Sequence, residues 1–227
     1  MLTTGVKSLD ELLGGGIAEE VLTQIYGSFA TGKTTLAVQI GLLSSGKVAY
    51  VDTEGGFSPE RLSQMAESRG FDPEEALQRF ILFTPSDFKE QRRTIGSLKK
   101  VVDGSFSLVV VDSITAHYRV EEHRKNLTAE LGKQLQVLLW IARRNRIPVI
   151  VINQVHFDSR AERMKPVAEH TLNYRTKDIL RLDKLNTPGM RVALLERHRF
   201  RPEGGMVYFR ITEKGIEDAI ETKQENV

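Results

Sequence analysis

The stretch Gly27-Ser28-Phe29-Ala30-Thr31-Gly32-Lys33-Thr34 constrains the fold more than any other part of the chain. It fits the pattern GxxxxGK[ST], follows the apolar run Val21 to Tyr26, and opens the helix-like segment Lys33 to Leu43. A glycine-rich turn between a strand and a helix turns backbone N–H groups and a helix N-terminus towards a polyphosphate. In that setting Gly27, Ser28, Phe29, Ala30, Thr31 and Gly32 form the cradle. Lys33 reaches the terminal phosphates, and the Thr34 hydroxyl can ligate Mg2+. Outside such a context the same residues would be only a flexible turn.

The rest of the chain supplies the context. Apolar runs at Val21 to Tyr26, Lys47 to Val51, Arg79 to Phe83, Leu108 to Val111 and Pro148 to Ile152 read as strands. Between them, Lys33 to Leu43, Pro59 to Arg69, Phe88 to Val101 and Leu127 to Asn145 read as helices; in the last, Leu131, Leu135, Leu138, Leu139 and Ala142 recur at helical spacing. Alternation of this kind predicts an α/β fold, a mainly parallel central sheet flanked by helices on both faces. After Gln154 the pattern changes. A polar stretch, His156 to Tyr174, has no clear period. The runs Thr176 to Leu185, Met190 to Glu196 and Met206 to Thr212 then predict antiparallel strands extending the sheet, with turns at Thr187-Pro188-Gly189 and Pro202-Glu203-Gly204-Gly205. Residues 1–227 read as one domain, and the acidic segment 213–227 is expected to fray.

Composition narrows the chemistry. With 227 residues, no Cys and 5 His, the chain offers no disulfide framework, no Cys-based zinc site and no thiol nucleophile. The opening MLTTGVKSLDELLGG lacks the layout of a signal peptide, and no run approaches the ~18 apolar residues of a membrane span. A cytoplasmic protein is expected.

Three further positions fall where strands end. Asp112 closes the run Leu108 to Val111; alone it could equally cap a turn, but beside a phosphate loop it is a candidate to hold the metal or its water. Glu54, in Asp52-Thr53-Glu54, is placed to orient or deprotonate an attacking water, or else is a solvated surface acid. Gln154, after Asn153, could report a terminal phosphate by holding or releasing the loop that follows, or could simply cap a turn.

Longer segments carry a resemblance. Leu2-Thr3-Thr4-Gly5 through Leu12-Leu13-Gly14-Gly15-Gly16-Ile17 resembles the TTGxxxLDxLLGGGI lead-in of the archaeal and eukaryotic strand-exchange recombinases of the RecA/RadA superfamily. Tyr50-Val51-Asp52-Thr53-Glu54-Gly55-Gly56-Phe57-Ser58-Pro59-Glu60-Arg61-Leu62 resembles their YIDTEGTFRPERL; Asp112-Ser113-Ile114-Thr115-Ala116-His117-Tyr118-Arg119 and Ile152-Asn153-Gln154-Val155 complete the set. The resemblance spans nearly the whole chain and implies a RecA-like ATPase core with ATP and Mg2+ as cofactors. On matching positions, Lys33, Thr34 and Thr35 would bind phosphates and magnesium, and Asp112 would serve the metal. Glu54 would activate water, Gln154 would sense the γ-phosphate, and Arg61 would lie against adenine, unless Arg61 is an exposed helix arginine paired with Glu60 or another acid. The sequence departs from the family in three respects. With the core starting almost at Met1, no N-terminal helical DNA-binding domain or polymerisation motif is expected before it; the segment Val120 to Leu127 lacks Gly-Arg-Gly, and Glu196 to Glu203 lacks the family's acidic, Pro-containing ATP cap. The expected protein is therefore an accessory or mediator in homologous recombination and DNA repair, with weak ATP hydrolysis.

The net charge of +2 hides an asymmetry: residues 1–112 sum to −4, residues 113–201 to +9, and residues 202–227 to −3. The basic segment contains both DNA loops that the resemblance implies, and Arg119, Arg124, Lys125, Arg160, Arg163, Lys165 and Arg175 (with Lys177) are the candidate DNA contacts. His117, Tyr118, Phe157 and Tyr174 could stack on bases. Expected partners are single-stranded DNA, bound without sequence preference, and a full-length RadA-type recombinase or other repair proteins. The competing readings are an autonomous DNA-dependent ATPase that catalyses strand exchange and a P-loop small-molecule kinase.

Overall fold

The computed structural model describes residues 1–121, 125–158 and 162–219. In chain order the elements are α1 (Lys7–Leu12), β1 (Leu22–Gly27), α2 (Lys33–Leu43), β2 (Lys47–Asp52), α3 (Pro59–Ser68), α4 (Pro73–Arg79), β3 (Phe80–Phe83) and α5 (Phe88–Val101). There follow β4 (Phe106–Asp112), α6 (Ala116–Val120), α7 (Leu127–Asn145), β5 (Val149–Asn153), β6 (Val155–Asp158), β7 (Arg163–Pro166), α8 (Glu169–Arg175), β8 (Asp178–Lys184), β9 (Met190–Arg197), β10 (Met206–Thr212) and β11 (Gly215–Asp218).

Nine strands form one sheet in the order β11-β10-β9-β8-β1-β5-β4-β2-β3, with β6 and β7 paired separately as a hairpin. The period of two in the central strands divides the core into two layers. Val48 and Tyr50, Leu108 and Val110, and Ile150 and Ile152 face α2, α3 and α4. Their neighbours Ala49 and Val51, Val109 and Val111, and Val149 and Val151 face α5, α7 and α8. Helix starts follow their capping residues: Ser58, Asp72 and Asp87 each accept a hydrogen bond from the backbone N–H three residues on, and proline opens α3 and α4.

Two expectations need correcting. The run Thr176 to Leu185 is not an antiparallel addition, because β8 pairs parallel with β1, Thr23 opposite Asp178; only β9, β10 and β11 continue the sheet antiparallel. The acidic segment from Glu213 is expected to fray, yet Gly215–Asp218 form β11. Ile216 is fully buried, and its backbone N–H and C=O both bond the side-chain amide of Gln39 in α2. Residues 220–227 lie outside the described residues. The stretch His156 to Tyr174 holds β7 and most of β6 and α8.

Candidate functional site

The parallel strands β1, β2, β4 and β5 all end at one edge of the sheet, where the ends of such strands bring ligand-binding loops together. The loop after β1 opens α2 through Gly32, whose φ of 98° suits a residue without Cβ. At the start of that loop a Cβ on Gly27 would stand 2.1 Å from the Leu182 carbonyl, so only glycine lets β1 and β8 approach there. Thr31 and Lys33 both donate to the Ser28 carbonyl, at 3.0 and 2.8 Å, which fixes the curl of the loop.

Around this loop lies a cleft of about 570 Å³ whose lining includes Gly27, Lys33, Thr34, Thr35, Glu54, Asp112, Arg119 and Gln154. Residues that sequence reading took from four separate strand ends thus meet in one place. Phe29 and Ala30 also line it, while Phe29 stands 89% exposed at its rim.

Asp112 is the electrostatic centre of the cleft. Its Oδ2 accepts from the Thr34 hydroxyl at 2.6 Å and from the Tyr50 hydroxyl at 2.8 Å. Burial pushes its carboxyl up to about 6; the two hydroxyls oppose that rise, and Glu54 and Asp52 add to it. Lys33 is depressed below the ordinary lysine range, first by burial, against the pull of Asp112 and Glu54. A hydroxyl next to a carboxylate is the hard oxygen donor set that Mg2+ selects.

Glu54 and Gln154 are joined directly. Gln154 donates from Nε2 to Glu54 Oε1 at 2.6 Å, Ser113 donates its hydroxyl to the same oxygen at 2.6 Å, and Arg119 donates to Gln154 Oε1 at 2.9 Å. Tyr50 and Ser113 are site residues that sequence reading misses. Tyr50 looks like one more residue of an apolar strand, and Ser113 carries no signal beyond standing next to Asp112. Asp52 also has an unread role: its carboxylate accepts the N–H groups of Glu54, Gly56 and Phe57 and so shapes the loop that carries Glu54.

Arg61 lies outside the cleft lining. Its guanidinium donates to the carbonyls of Thr212 and Glu213 and to Gln64, at the turn between β10 and β11, and among the described residues it forms no ion pair with Glu60 or another acid. The basic candidates separate into groups. Arg119 is on the cleft, and Lys165 is in the β6–β7 hairpin, paired with Asp158 at 2.6 Å. Lys125 is exposed just before α7. Arg175 sits at the other edge of the sheet, where α8 leads into the start of β8, over the ring of Tyr174. Arg124 and Arg160 lie outside the described residues, as does the side chain of Arg163. Among the aromatics, His117 is held on the Pro85 carbonyl and Tyr118 packs on Phe88. Phe157 and Tyr174 are exposed, at 62% and 80%.

A phosphate loop, a carboxylate ending β4 with β5 lying between it and the phosphate-loop strand, and a glutamate at the end of the next strand, β2, define a RecA-like P-loop protein. The Rad51 family model matches residues 1–219, and the chain belongs to the Rad51 family. Within it, the chain is 91% identical over 220 residues to the DNA repair and recombination protein RadB of Thermococcus onnurineus, covering 97% of this chain and 98% of that one. The protein of the same name from Halobacterium salinarum is 38% identical over 96% of this chain and 95% of its own. A solved structure, described as the crystal structure of the RadB recombinase, is 78% identical; the match covers 96% of this chain and all of that chain, with a TM-score of 0.90. Among the described residues no helix is long and apolar enough to cross a membrane.

Proposed function

We propose that the protein binds ATP and single-stranded DNA and acts in homologous recombination and DNA repair as an accessory of a full-length recombinase, hydrolysing ATP weakly. The observation that carries the nucleotide reading is the bond between Thr34 and Asp112 beside Lys33 in the cleft. In this reading the loop from Gly27 to Thr35 binds the triphosphate, and Thr34 and Asp112 hold Mg2+. When bound, the metal neutralises the phosphate oxygens. Lys33 adds charge at the terminal phosphates, Glu54 orients the attacking water, and Gln154 responds to the terminal phosphate. Arg61, held on the β10–β11 turn, would bound the adenine side.

Weak hydrolysis is supported by the engagement of Glu54 and Gln154 with each other. The accessory role is supported by the recombination name carried by the relatives and by the way 196–201 folds onto its own chain. Glu196 accepts from Tyr26, Arg197 donates to the Asn173 carbonyl, and Arg199 N–H donates to Asp178. DNA binding is supported by the basic excess of residues 113–201 and by the exposed Phe157 on the β6–β7 hairpin.

Calorimetric titration with Mg-ATP tests the nucleotide reading. The wild-type chain should bind, and Lys33→Ala, which removes the one cationic side chain that the loop from Gly27 to Thr35 carries, should lose tight binding. Unchanged affinity in Lys33→Ala would overturn the assignment of the loop.

A further inference from the structure

One unbroken hydrogen-bond chain joins the end of α6 to the centre of the cleft. It runs from the Arg119 guanidinium to Gln154 Oε1, from Gln154 Nε2 to Glu54 Oε1, and from that oxygen to the Ser113 hydroxyl. A guanidinium has donors only, so it selects the oxygen of the amide and turns the NH2 towards the carboxylate. Both ends of the amide are bound to charged groups, which makes both bonds charge-assisted. The N–H aimed at Glu54 is not available to a terminal phosphate, and the Glu54 oxygen that accepts it is occupied by both Gln154 and Ser113. Arg119 is meanwhile exposed, beside Val120 at 85% exposure, in the segment that carries the basic excess.

We propose that Arg119 is a positioning residue that holds Gln154 on Glu54, and that a DNA phosphate, by taking the guanidinium, releases Gln154 and Glu54 to the nucleotide. The proposal rests on the nucleotide and DNA readings above and adds the residue that links them. Arg119 donates to the oxygen of a neutral amide, and a phosphate is the stronger partner for a guanidinium. Because coupling between sites is reciprocal, a nucleotide that draws Gln154 away loosens Arg119 and strengthens DNA binding.

The test uses the full chain labelled with 15N, with the Gln154 side-chain amide identified by its loss in Gln154→Ala. In the absence of nucleotide, Arg119→Ala should move that resonance, and a short oligothymidine added to the wild type should move it the same way. Arg119→Lys, which keeps a donor, should restore most of the native position. The amide of Gln91, fully buried and bonded to Gln134 and the Ile114 carbonyl, reports an intact fold and should stay in place. Mg-ATP should tighten oligothymidine binding by about fivefold or more in the wild type, within the usual range of coupling, and this gain should disappear in Arg119→Ala.

A Gln154 amide that stays put in Arg119→Ala, with Gln91 also unmoved, would overturn the positioning role. An oligothymidine that binds without moving Gln154 would overturn the competition. If the wild type binds no oligothymidine even at low salt, the DNA reading itself fails, while the Arg119→Ala shift still decides whether Arg119 positions Gln154.

Discussion

At the scale of single residues, Asp112 shows how a site is built at the expense of stability. Its carboxyl titrates at about 6 in the folded chain against an ordinary 3.8 because the fold buries it. Between those values the folded state binds the extra proton, so this group favours folding below pH 4 and loses that contribution as pH rises through 6. At pH 8 the buried charge costs the chain about 3 kcal/mol, since each tenfold change in proton affinity is worth about 1.4 kcal/mol. Asp112→Asn, which still offers a carbonyl to Thr34 and Tyr50, should therefore raise the melting temperature of the nucleotide-free protein at pH 8. The gain should shrink towards nothing as pH falls to 4, and Mg-ATP binding should be lost at every pH. Melting curves across that range check it, and an equal or lower melting point at pH 8 would contradict the account.

The elements show which patterns a sequence makes visible. The strands β2, β4 and β5 are legible because each carries a run of three or more consecutive apolar residues, and β1 because Leu22, Ile25 and Tyr26 stand before the phosphate loop; α2, α5 and α7 match their expected limits in full. Helix α4 escapes a sequence reading despite Asp72 and Pro73 at its start, since seven residues with one buried side chain give almost no period. The β6–β7 hairpin is hidden because its exposed residues do not alternate with buried ones, and a run of residues cannot say whether β8 will lie parallel or antiparallel to its neighbour. β11 reads as tail because its one large apolar residue, Ile216, sits among acids; it packs in the core, and its backbone is held by Gln39, far away in sequence. Ile216→Ala should cost about 2–5 kcal/mol in denaturant unfolding, the range for truncating a buried isoleucine. A change near zero would return these residues to the tail. On the hairpin, Phe157→Ala should leave melting unchanged but weaken oligothymidine binding by about tenfold, since a stacked base is worth about 1–3 kcal/mol. Equal anisotropy titrations for the two proteins would remove Phe157 from the DNA surface.

At the scale of the whole molecule, the proposed function places nucleotide and DNA binding at one sheet edge. The phosphate loop, Asp112, Glu54 and Gln154 are all readable as strand ends, because the parallel fold gathers such ends by construction. Their mutual bonds are not readable, since Thr34 and Asp112 stand 78 positions apart and Glu54 and Gln154 stand 100 apart. The basic segment is readable as charge, but not its division: the sheet puts Arg119 on the cleft and Arg175 at the opposite edge. In the proposed function this protein is a partner of a recombinase rather than a recombinase by itself. Strand exchange between a single strand and a labelled duplex, with Mg-ATP, measured with this protein alone, with the full-length recombinase alone and with both, tests that most directly. The account predicts no exchange by this protein alone and a raised rate or yield when both are present; exchange by this protein alone, or no change on adding it to the recombinase, would contradict it.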